Sequence, residues 1–70
     1  MDREELLSMF SEGAVRISMN DGREYTIEHT DEAVVSDISA YVLYRGDDGK
    51  LRRVVLPLVT MSAVHPLSDA

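Results

Sequence analysis

Seventy residues make one domain at most, close to the size at which a hydrophobic core alone stops holding a fold. Cysteine is absent, which excludes disulfides, thiolate zinc sites and cysteine nucleophiles, and two histidines, His29 and His65, leave little for an imidazole-based metal site. The net charge of −6 sits in the first half: residues 1–37 hold ten acidic and three basic side chains, residues 38–70 hold three and four, which is not the clustered Lys and Arg of a typical nucleic-acid binder.

Small chains without disulfides or metals usually gain extra burial by association, so a homo-oligomer is the expected state. No apolar run reaches the 18 or so residues of a membrane span, so no membrane partner is expected. "MDREELLSMF" lacks the cationic start of a signal peptide, which makes the cytoplasm the expected location.

In chain order, "DREELLSMFSEG" reads as a helix over about residues 2–12. Asp2 stands at the N-cap, Glu5 completes a capping-box spacing, and Gly13 is a natural stop. Leu6, Leu7, Met9 and Phe10 form its apolar stripe, which a helix this short must dock on the rest of the domain.

From Val15 the period becomes two, and Tyr25 and Ile27 continue it beyond Asn20-Asp21-Gly22. A two-residue turn would place apolar residues opposite polar ones. A three-residue loop with a left-handed Gly22 instead sets Ile17 opposite Tyr25 and Val15 opposite Ile27. Asp47-Asp48-Gly49 passes the same parity test, with Val42 opposite Val54 and Ala40 opposite Leu56.

Between the hairpins, Thr30-Asp31-Glu32 reads as a polar connection and 33–35 as extended. The strand "ISAYVLY", 38–44, is apolar on both parities, which predicts a central or sharply curved strand. Pro57 ends the fourth strand near Leu56, "PLVTM" supplies one 3-10 turn, and "SAVH" is a final short strand. Helix plus five short antiparallel strands predicts a small barrel over about 14–66, mainly β, followed by a flexible tail at 67–70.

"VRISMNDGREYTI" and "VVLPLVTMSAVHP" resemble the first motif and the closing strand–turn–strand of the Sm-like family within the SH3-like barrels. The chain also resembles small bacterial proteins of unassigned function with a DGR-E-Y-x-I-x-H core. The likeness spans roughly residues 2–66 and implies a five-stranded Sm-like barrel with a ring-forming strand edge. It does not carry RNA binding over. Where bacterial Sm-like proteins have a Lys-His pair at the RNA pore, this chain has Pro57-Leu58-Val59. Arg45-Gly46 does not securely match the Arg-Gly pair of the eukaryotic relatives.

Arg45, Lys50, Arg52 and Arg53 form the only basic cluster. Arg52 and Arg53 point to opposite strand faces, as do Tyr41 and Tyr44, so a converging aromatic and basic platform for nucleic acid is not expected. His29, Asp31 and Glu32 offer imidazole and carboxylate, but strand parity assigns His29 to the end of the barrel. Arg45-Gly46-Asp47 is read as turn chemistry, and there is no nucleophile elbow or phosphate loop. No catalysis, cofactor or metal is expected.

The expected function is a small adaptor or regulatory module acting through an unknown protein partner and self-association. The candidate surface is Arg45, Lys50, Arg52, Arg53, Tyr41, Tyr44, Glu24 and Glu28, with Arg52 or Arg53 meeting Glu24 or Glu28 of a neighbouring subunit. The alternatives are an Sm-like RNA-binding regulator and an acidic inhibitor occupying a basic nucleic-acid site.

Overall fold

Two glycine-closed hairpins set the frame. In the computed structural model, which describes residues 1–67, α1 spans Arg3–Ser11 and is followed by β1 (Val15–Met19) and β2 (Glu24–Ile27). A 3-10 turn at Thr30–Glu32 leads to β3 (Val34–Val35), β4 (Ser39–Arg45) and β5 (Leu51–Pro57). A second 3-10 turn at Leu58–Thr60 leads to β6 (Met61–Pro66). Of the expected tail at 67–70, all but Leu67 lies outside the described residues.

Both registers are those required by parity. Val15 pairs with Ile27 and Ile17 with Tyr25. Ala40 pairs with Leu56 and Val42 with Val54. Gly22 and Gly49 take φ of 90° and 80°, the left-handed conformation that lets each three-residue loop close. Met19 N–H donates to the Arg23 carbonyl at 2.8 Å and Gly46 N–H to the Lys50 carbonyl at 2.9 Å, the last rungs before each loop.

The expected five-stranded closed barrel is corrected in strand number and closure. Among the described residues six strands form two three-stranded antiparallel sheets, in the orders β2-β1-β6 and β3-β4-β5, with no closed barrel. The extra strand arises at Ser36. Its N–H donates to the Ser39 carbonyl at 2.8 Å, while its Oγ accepts from the Ser39 N–H at 3.0 Å and the Ile38 N–H at 3.3 Å. That turn folds Val34 and Val35 back onto Tyr41 and Ala40, and β4 becomes the central strand of its sheet.

The core lies between the two sheets and α1. Leu6, Val15, Ile17 and Ile27 are essentially solvent-free, joined by Phe10, Ala40, Val42, Leu56, Leu58 and Met61. Each fully buried Leu, Ile or Val contributes about 1.5–3 kcal/mol of apolar burial, before the cost of ordering the chain.

Helix α1 docks through Leu6 and Phe10, while Leu7, expected in the same stripe, is exposed. Asp2 occupies the N-cap position, yet its side chain makes no capping hydrogen bond, so the expected capping box does not form. Two long-range bonds hold this end of the helix instead. The Met1 amine donates to the Leu58 carbonyl at 3.1 Å, and Arg3 Nε donates to the Val35 carbonyl at 3.2 Å. At the other end, Thr30 Oγ1 lies 2.9 Å from the Phe10 carbonyl and 3.2 Å from the Gly13 carbonyl, supplying a donor where a helix leaves its carbonyls unpaired.

Candidate interaction surface

The β4–β5 hairpin carries most of the expected site residues and sorts them onto two faces. Residues opposite each other in an antiparallel ladder share a face, and neighbours along a strand alternate. Tyr44 therefore lies with its partner Arg52 on the side of Val42 and Val54, while Tyr41 lies with Val55, and Leu43 with Arg53, on the other. The expectation that Arg52 and Arg53, and likewise Tyr41 and Tyr44, diverge agrees with this register.

At the loop end of the hairpin a polar cleft is bordered by Glu24, Tyr44, Arg45, Asp47, Asp48 and Arg52, with Tyr44 and Arg52 from the first face and Arg45 from the alternate parity of β4. Tyr44 meets Tyr25 edge to face, with centroids 5.0 Å apart and an interplanar angle of 87°. Arg45 Nε donates to Glu28 Oε1 at 2.9 Å, and its Nη1 donates to the Gly49 carbonyl at 2.6 Å. Arg52 forms an ion pair with Asp48, and Ser18 Oγ donates to Glu24 Oε2 at 3.1 Å.

Two of the four basic residues are thus occupied within the chain. Arg52 meets Asp48, and Glu28 meets Arg45. These pairs are about half exposed, so each contributes at most about 1 kcal/mol, and their consequence is local charge neutralisation. Lys50 stays exposed at the turn, with its backbone N–H donating to Asp48 Oδ1 at 3.1 Å. On the adjacent hairpin, the Tyr25 phenol first and the Asp21 carboxylate second hold the Arg23 guanidinium above its ordinary value.

The second face is apolar and in solvent. Val34, Tyr41 and Val55 stand opposite one another across all three strands, and their exposures are 63%, 47% and 53%. Leu43 continues the face next to Tyr41, and a shallow depression here is bordered by Glu32 and Arg53. Leu51 at the far end and Ile38 in the turn add further exposed apolar surface.

This row went unread in the sequence because half of it depends on the Ser36 turn. The parity test already opposes Tyr41 to Val55, but nothing in the residue spacing brings Val34 alongside. Its one signal was the strand "ISAYVLY", apolar on both parities.

His29 precedes the first 3-10 turn and is half-buried, with Asp31 and Glu32 exposed beyond it. Among the described residues, no three His, Asp or Glu side chains gather closely enough to hold a metal ion. No helix among them is long and apolar enough to cross a membrane. Comparison with family models, with curated proteins and with solved structures yields no significant match.

Proposed function

We propose that the chain is a small, non-catalytic adaptor or regulatory module of the cytoplasm that works through protein contacts and self-association. The observation that carries this reading is the cross-strand row Val34–Tyr41–Val55. Singly exposed apolar residues are ordinary, but three in register across a whole sheet form a contiguous apolar patch of the kind that marks contact surfaces.

The strand edges add to it. Each sheet ends on strands with one unpaired side, β2 and β6 in one and β3 and β5 in the other, and such edges pair with neighbours unless protected. An Sm-like relationship is supported by the order of elements: after a 3-10 turn the last strand returns to pair with the first, Ile17 opposite Val64.

The RNA-binding alternative is less well supported, because Glu28 and Asp48 already engage Arg45 and Arg52. Light scattering at low and high micromolar concentration, in low and high salt, tests the proposal. Assembly that grows with concentration supports it, and a strict monomer throughout removes self-association. A gel shift with short uridine- or adenine-rich RNA that fades steeply with salt would favour the RNA alternative instead.

A further inference from the structure

We infer that the outer face of the β3–β4–β5 sheet is where a second copy of this chain docks, related by a two-fold axis running along β4. The inference rests on the self-associating reading above and gives that contact its partner and geometry.

The face is apolar in the middle and carries an unpaired charge of each sign at its sides, while Arg45, which shares its parity at the loop end of β4, is already neutralised by Glu28. Glu32 borders it on the β3 side and Arg53 on the β5 side, both exposed. Among the described residues neither has an ion-pair partner, whereas Arg23, Arg45 and Arg52 each hold a carboxylate.

A two-fold axis along the central strand exchanges the outer strands. It sets Tyr41 beside its own counterpart, Val34 over Val55 of the second copy, and Glu32 over Arg53 of the second copy. The reverse contacts form at the same time, as a closed two-fold interface requires. The two sheets then stack in the aligned manner of a β-sandwich, about 10 Å apart. A partner rich in a single charge would satisfy only one of Glu32 and Arg53, while a second copy satisfies both.

The size of the patch sets the strength. Three strands about 4.8 Å apart span about 14 Å and the seven residues of β4 and β5 about 24 Å, but β3 adds only two residues, so the face covers less than about 14 by 24 Å. That falls short of the roughly 800 Å² per partner of a standard interface, so the dimer is weak and concentration-dependent.

Sedimentation equilibrium from low micromolar to millimolar concentration, on the wild type, Glu32→Arg, Arg53→Glu and the double exchange, tests the inference. Each single reversal turns two attractions into two repulsions and should weaken the dimer at least about tenfold, and the double exchange should restore it to within a few-fold. Both sites are exposed, and unchanged thermal melts of dilute protein would confirm that folding is intact. A wild type that stays monomeric overturns self-association itself. An oligomer indifferent to either single reversal, or not restored by the double exchange, overturns only this face and leaves the strand edges as the contact.

Discussion

Replacing Gly22 by Val probes the loop on which the first hairpin depends. Gly22 sits at φ 90°, and a Cβ built there meets no heavy atom within 4 Å, so the substitution costs backbone conformation rather than packing. An L-residue in the left-handed region costs about 1–2 kcal/mol, and a β-branched one falls at the upper end or beyond. Replacing glycine also restricts the unfolded chain, which returns about 0.4–1 kcal/mol. The net loss is about 1–2 kcal/mol. At 4–8 °C per kcal/mol for a domain this small, the melting temperature should fall by about 4–16 °C. Thermal unfolding followed by circular dichroism reads this, at one fixed protein concentration because association shifts apparent stability. Gly22→Asn should lose less, since Asn tolerates the left-handed region better than Val. A Val variant melting with the wild type would refute the three-residue register.

Two further perturbations test how the helix is held. Leu6 is solvent-free whereas Leu7 is 37% exposed, so Leu6→Ala should cost about 2–5 kcal/mol and Leu7→Ala much less; equal losses in chemical denaturation would contradict the docking described. Thr30→Val removes the hydroxyl that donates to the end of α1 while keeping the side chain's shape. It should cost about 1–3 kcal/mol and hasten amide exchange near Phe10 and Gly13, and unchanged exchange there would show that this bond does not hold the helix end.

What the sequence made legible was whatever depends on local alternation. Shifting a strand by one residue moves its whole apolar set to the wrong face, so counting parity around Gly22 and Gly49 fixes both hairpins without reference to anything distant. Pro57 likewise announces the end of β5, because it has no N–H to donate to a ladder. The turn at Ser36 has a weaker marker, a Ser-Asp pair. It is closed by a serine hydroxyl in place of glycine or proline, so β3 reads as a continuation into β4 and the sixth strand disappears. Thr30 and the Arg45–Glu28 pair are hidden for a different reason. Their partners lie 17 or more residues away, and only the packing of one element on another brings them together.

The stretch 39–44 joins the legible part of the site to the hidden part. A strand apolar on both parities is the pattern of one covered on both faces. Ala40 and Val42 meet that expectation toward the core, where they are almost fully buried. Tyr41 does not, because no element among the described residues covers it, and Val34 and Val55 beside it are left in solvent as well. Exchanging an interior-type strand for an alternating one would leave the core unchanged, since only the outward parity differs. The apolar outward residues therefore contribute only their cross-strand packing to the single chain, not a buried layer. The inferred second copy would cover them, and Glu32 and Arg53, unpaired on either side of the face, match the charge pattern of the same surface turned over.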